Sequence, residues 1–144
     1  GGFDSRILNE IRQKRGLAYS AYSYFAPLQQ PGPFQLGMQT KKQDADVALK
    51  VAQETLRRFI QEGPSAAELK QAKNNIILGF PLRIDTNRKL LEYLGVIGFY
   101  GLPLSYIDDF PREIGKVDAA AIRAAFQRRL NPDKMVTVMV GAPE

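Results

Sequence analysis

The sequence predicts an α+β fold in which an antiparallel or mixed β-sheet packs against helices. Three observations carry that prediction. An aromatic-rich run at residues 18–26 and an alternating run at residues 34–39 flank the loop Gln29-Gln30-Pro31-Gly32-Pro33, the pattern of a long antiparallel hairpin. About six other segments read as helices, several of them bounded by recognisable caps and stops. Residues 135–140 are apolar on both faces and read as a third, central strand.

Taken in order, residues 3–15 read as a helix, with Asp4 or Ser5 as N-cap, Ile7, Leu8 and Ile11 as one apolar stripe, and Gly16 as a left-handed stop. In the first strand, strict alternation places Tyr19 and Phe25 on one face and Tyr22 and Tyr24 on the other. In the second, Phe34, Leu36 and Met38 alternate with Gln35, Gly37 and Gln39. Asp44 is the candidate cap of a helix running to about Glu62, apolar at Ala48, Val51, Ala52, Leu56, Phe59 and Ile60, and Gly63-Pro64 stops it. Ser65 and Glu68 form a capping box, in which the serine serves the Glu68 N–H and the glutamate reaches back. That helix carries Leu69, Ala72, Ile76 and Ile77. Further helices are expected over residues 86–100, ended by Gly101, over 106–115, and over 119–130, capped by Asp118 and closed by Asn131-Pro132.

Three strands do not cover the apolar surface of six helices. The first strands of the sheet are expected upstream of Gly1, and an apolar edge or face is expected where they belong. The opening Gly1-Gly2, without a methionine or a leader, reads as a cut from a longer polypeptide. Residues 1–144 read as a single domain with no internal repeat.

Composition excludes several chemistries. Histidine and cysteine are both absent, which removes imidazole and thiolate zinc sites, serine–histidine triads and thiol nucleophiles. Asp108-Asp109 is the only adjacent acidic pair, and neighbours on a helix diverge, so no metal ligands are assigned to this chain. The net charge of +5 is spread along the whole sequence in short clusters that read as solvated helix faces. No nucleic-acid motif accompanies it. No apolar run approaches the roughly 20 residues that span a bilayer.

The most specific block is Gly1-Gly2-Phe3-Asp4-Ser5-Arg6-Ile7, continued by Ile11-Arg12-Gln13-Lys14-Arg15-Gly16-Leu17-Ala18-Tyr19-Ser20. It resembles the C-terminal domain of the pitrilysin/insulinase family of zinc metallopeptidases, including the mitochondrial processing peptidase. That family commonly reads Gly-Gly, two variable residues, Ser-Arg-Leu, then Ile-Arg-Glu-Lys-Arg-Gly-Leu-Ala-Tyr. Ile7 here replaces the leucine and Gln13 the glutamate. Gly101-Leu102-Pro103-Leu104-Ser105-Tyr106 is similar to a family linker. Val117-Asp118 before a helix, and Leu130-Asn131-Pro132-Asp133-Lys134 before the valine-rich run, resemble its closing segment.

The resemblance implies the later part of a peptidase C-terminal domain within a two-halved chamber. The zinc motif, His-x-x-Glu-His with a distant Glu, would lie in another domain or subunit, so zinc is expected as a cofactor of the assembled enzyme and not of this chain. The facing half of such enzymes supplies an arginine and a tyrosine seven residues apart, aimed at the substrate backbone near the scissile bond. Arg12 and Tyr19 match that pair in spacing and context, as candidate catalytic and substrate-binding residues. The implied partners are the zinc-bearing domain or subunit, an extended unfolded peptide, and a second half completing a homo- or heterodimer. A bacterial periplasmic or envelope location is compatible with the resemblance.

Elementary chemistry fits the pair. A helix–turn–strand reversal brings residues seven apart to one end of a sheet, and a guanidinium and a phenol are both donors. Peptide hydrolysis at zinc builds negative charge on the carbonyl oxygen, and donors aimed at it lower the barrier. Taken singly, Arg12 reads as a surface helix residue, Tyr19 as a packed strand tyrosine, and Tyr22, Tyr24 and Phe25 as sheet packing. Two other functions stay open for the same fold: a structural subunit without peptidase activity, and a clamshell that holds extended peptides by strand addition.

Overall fold

The computed structural model describes residues 5–141. The chain divides into two compact units, one built from residues up to Glu62 and from Ala125 onward, the other from Gly63–Ala124.

The first unit holds the sheet. A helical segment starts as α1 (Arg6–Leu8) and continues as one π-wound turn, Asn9–Gln13. β1 (Ala18–Phe25) and β2 (Phe34–Thr40) pair antiparallel, from Ala18 opposite Thr40 to Phe25 opposite Phe34. A 3-10 turn, Lys42–Asp44, leads into α2 (Ala45–Glu62). α2 thus starts directly after Asp44, with the 3-10 turn wound ahead of it. Ala48, Ala52, Thr55 and Leu56 bury one stripe of α2, at the spacing of a single helix face. The core joins Ile7, Leu8 and Ile11 to Ala18, Ala21 and Ala52, with Leu17, Leu36, Met38 and Val51 packed against it. At the other end of the hairpin Phe25 meets Phe34 and Phe126, and Phe126 meets Phe59 with ring centroids 4.8 Å apart.

The second unit is helical, with α3 (Ala66–Gly79), α4 (Asn87–Tyr100), α5 (Tyr106–Lys116) and the first part of α6 (Ala119–Arg129). The predicted capping box forms: Ser65 Oγ accepts from the Glu68 N–H, and Glu68 Oε2 accepts from the Ser65 N–H. Thr86 caps α4, and Gly101 ends it in the left-handed region. Asp118 caps α6 through the Ala121 N–H at 2.7 Å. Phe80 is the centre of this unit, with Tyr93 and Phe110 against its ring.

Three expectations change. The first helix covers Arg6–Gln13 instead of residues 3–15; Ser5 is its cap, accepting from the Leu8 N–H, while Phe3 and Asp4 lie outside the described residues. Residues 135–140 do not form a third strand, because a strand needs a ladder partner and none reaches them among the described residues. Val136, Val138 and Val140 are instead 88%, 81% and 96% exposed. This run and β2 line a groove of about 690 Å³ together with Leu49, Ala52 and Leu56 of α2. The third change concerns Tyr19. Ala18 pairs with Thr40 and Ser20 with Gln39, so β1 carries one extra residue at Tyr19. The bulge breaks the alternation: Ala18 and Ala21, three apart, are both buried in the core, and Tyr19 leaves the face of Phe25.

Candidate functional site

The site is built at the turn from the first helix into β1. The π-turn is visible in the backbone, where the Lys14 N–H donates to Asn9 O at 2.9 Å. The Leu17 N–H then reaches back to Ile11 O and the Gly16 N–H to Arg12 O, both at 2.9 Å. An α-helix ending in a left-handed glycine closes with bonds spanning five and three residues. Here each span is one residue longer, as π-winding requires. Gly16 has φ +62°, a conformation that a side chain at this position would strain. The Thr40 hydroxyl donates to Leu17 O at 2.6 Å and ties the turn to the end of β2.

This reversal brings the two predicted residues together. Ile11, 0% exposed, anchors the turn in the core, while the next residue, Arg12, projects into solvent. Its guanidinium carbon lies 5.5 Å from the centroid of the Tyr19 ring, a cation–π contact. Tyr19 is 80% exposed. Each residue therefore sits on a backbone irregularity, Arg12 in a π-turn and Tyr19 at a β-bulge. Both devices occur disproportionately beside functional sites, where they re-aim a side chain. Both polar groups remain available as donors to a ligand.

Tyr22 and Tyr24 stack along the exposed face of β1, with ring centroids 6.1 Å apart. The Tyr22 ring lies over Gly37, which has no side chain to displace it, and the Tyr24 hydroxyl donates to Gln35 Oε1. Phe25 turns the other way, into the aromatic cluster around Phe126.

One site residue escaped the sequence reading. Glu10 is only 8% exposed, yet it binds two cations: Lys14 Nζ lies 2.5 Å from Oε1, and Arg15 Nη1 lies 2.6 Å from Oε2. Hydrogen bonds from Lys14 and then Arg15 hold its carboxyl below the ordinary value, against the opposing effect of burial. The available signal was the Glu–Lys spacing of four, in the favourable orientation on a helix. Arg12, by contrast, has no carboxylate within ion-pair distance among the described residues.

Nothing here fits zinc. The chain has no histidine or cysteine, and no group of three possible metal ligands occurs among the described residues.

Comparison with known proteins follows the same line. Residues 1–76 match the family described as the peptidase M16 inactive domain. The non-peptidase homolog YmxG of Helicobacter pylori is 31% identical over 125 residues, 85% of this chain and 28% of that protein. An uncharacterized zinc protease of Streptomyces coelicolor is 28% identical over 125 residues, 86% of this chain and 27% of that protein. Among solved structures, a peptidase M16 inactive domain from Pseudomonas fluorescens shares 38% identity with a TM-score of 0.84, over 93% of this chain and 32% of that one. The periplasmic protease PqqL from Escherichia coli, 17% identical, shares the fold with a TM-score of 0.70 over 87% of this chain and 14% of its own. The chain thus spans less than a third of the length of the curated relatives it matches.

Proposed function

We infer that this chain, which belongs to the peptidase M16 inactive-domain family, the pitrilysin/insulinase group, serves as the later part of the C-terminal, non-zinc domain of a clamshell zinc metalloendopeptidase. In this reading Arg12 and Tyr19 bind the backbone of an extended, unfolded peptide. They also stabilise the charge that builds on its carbonyl oxygen during hydrolysis. The observation that carries the reading is the convergence of the two donors at the joined irregularities of helix and strand.

The division of labour follows from the residues. Zinc, where present, belongs to another domain or subunit, since this chain has neither imidazole nor thiolate to hold it. What the chain supplies is a guanidinium, always charged, and a phenol hydroxyl, both held on a rigid turn. Donors fixed before the substrate arrives need no reorganisation when charge develops, and losing one typically costs about a hundred- to a thousand-fold in rate. Alone the chain is inactive. The zinc half sits in the same polypeptide or in a partner subunit, and the working enzyme is a homo- or heterodimer, compatible with a periplasmic or envelope location.

The test is peptide cleavage by the full-length parent with its zinc-bearing half, comparing wild type with Arg12→Ala. Zinc content and melting temperature are expected to hold while kcat/KM falls about a hundred-fold or more. A second reading is favoured by the name of the Helicobacter relative: a non-catalytic homologue that keeps the fold for assembly or peptide binding. It predicts peptide binding or complex formation without turnover, unchanged by Arg12→Ala, and that result would replace the peptidase reading.

A further inference from the structure

We propose that Glu10 is the positioning residue for Arg12, locking the π-wound turn that aims the guanidinium at Tyr19. The proposal rests on the peptidase reading and adds a third residue to its site.

The π-turn displaces a backbone hydrogen bond. In an α-helix the carbonyl of Glu10 would accept the N–H of Lys14, four residues on. Here that N–H goes to Asn9 O instead, at 2.9 Å. The carbonyl of Glu10 is left without its α-helical donor, and Arg15 Nη1 takes its place at 2.8 Å. The same guanidinium nitrogen also reaches Glu10 Oε2, at 2.6 Å. Glu10 and Arg15 thus close a loop, backbone and side chain together, around the π-turn. Lys14 Nζ on Oε1 closes it a second time. Arg12 lies inside this loop.

Charge sorting points the same way. Residues 12, 14 and 15 place three cations within four positions. Glu10 engages Lys14 and Arg15 and leaves Arg12 to the Tyr19 ring. Without the Glu10 carboxylate, Arg15 loses the charged anchor that holds it on the Glu10 carbonyl, and the repulsion among three cations goes uncompensated; both favour rewinding to α register. Rewinding rotates Arg12 relative to Tyr19, and a displacement of about 1 Å in a positioned group costs up to about a hundred-fold in rate. Glu10 itself, buried beneath the turn, touches no substrate in this arrangement.

The test uses the full-length parent with its zinc-bearing half and a fluorogenic peptide. Glu10→Gln is expected to lower kcat/KM by about ten- to a hundred-fold, mostly in kcat. In an Arg12→Ala background, Glu10→Gln is expected to add no further loss, because a residue acting through Arg12 has nothing left to act on. Arg15→Met, at an exposed end of the same loop, is expected to reproduce the loss and keeps the question answerable if Glu10→Gln does not fold. If Arg12→Ala is severe while Glu10→Gln and Arg15→Met stay within about twofold of wild type, Glu10 is not a positioning residue. An equal cost of Glu10→Gln in both backgrounds would also overturn the proposal, since general destabilisation does that. If Arg12→Ala is itself silent, the peptidase reading fails first and this inference goes with it.

Discussion

At the scale of single residues, Tyr19 carries two separable groups. In the proposed function its hydroxyl donates to substrate, while its ring lies against the Arg12 guanidinium. Tyr19→Phe keeps the ring and removes the hydroxyl, whereas Tyr19→Ala removes both. If both roles operate, kcat/KM falls about a hundred-fold in the first and further in the second. A silent Tyr19→Phe beside a damaging Tyr19→Ala would leave the ring as the working part. Glu10 gives a prediction in pH. Its carboxyl is held below the ordinary value of 4.5 by Lys14 and then Arg15, so the stability it contributes is present above its unfolded pKa. That stability is lost as pH falls through the lower folded value. Glu10→Gln is expected to cost about 1 kcal/mol at neutral pH, a modest figure because the Lys14 and Arg15 side chains remain partly in water. Urea unfolding of wild type and variant should converge as pH drops below 4.5.

At the scale of elements, the hairpin depends on a close approach in its loop. A Cβ on Gly32 would lie 1.9 Å from the carbonyl oxygen of Ala26, and backbone cannot yield as a flexible side chain does. Gly32→Ala is therefore expected to destabilise by about 2 kcal/mol or more, read as a lower denaturation midpoint. Gly37 differs, because what meets its added Cβ is the far end of the Tyr22 ring, which can swing away. In the helical unit, Ser65→Ala breaks the capping box and should cost about 1 kcal/mol. The capping box was legible in the sequence because both partners lie within one turn. So was the hairpin, from its alternation and its Pro-Gly loop. The bulge at Tyr19 was not, since it records a one-residue mismatch between β1 and its distant partners Gln39 and Thr40 on β2.

For the whole molecule, the open face at residues 135–140 is the dominant fact. Alternate valines lie almost fully exposed beside a groove lined by β2 and α2. A two-stranded sheet is marginal by itself, and an unpaired apolar run beside it is a template for further pairing. The isolated chain is expected to self-associate, as light scattering after size exclusion would show. Val136→Lys with Val138→Lys should reduce that association. A monomer that binds no hydrophobic dye would contradict the expectation.

Features that depend on near neighbours and on composition were legible in the amino-acid order alone. Caps, stops, apolar stripes and the hairpin's alternation are local, and the absence of histidine and cysteine settles that imidazole or thiolate zinc is not held here. The order of the Gly-Gly, Ser-Arg, Arg-Gly-Leu-Ala-Tyr and closing segments was enough to point to the family. How the Arg12–Tyr19 turn is wound and where the last apolar run goes depend on contacts distant in sequence. Burying Ala18 and Ala21 together against Ile11 and Ala52 forces the bulge at Tyr19. The π-turn accompanies the Glu10 ties to Lys14 and Arg15. Residues 135–140 have strand composition but no strand, because pairing belongs to two segments and composition only to one.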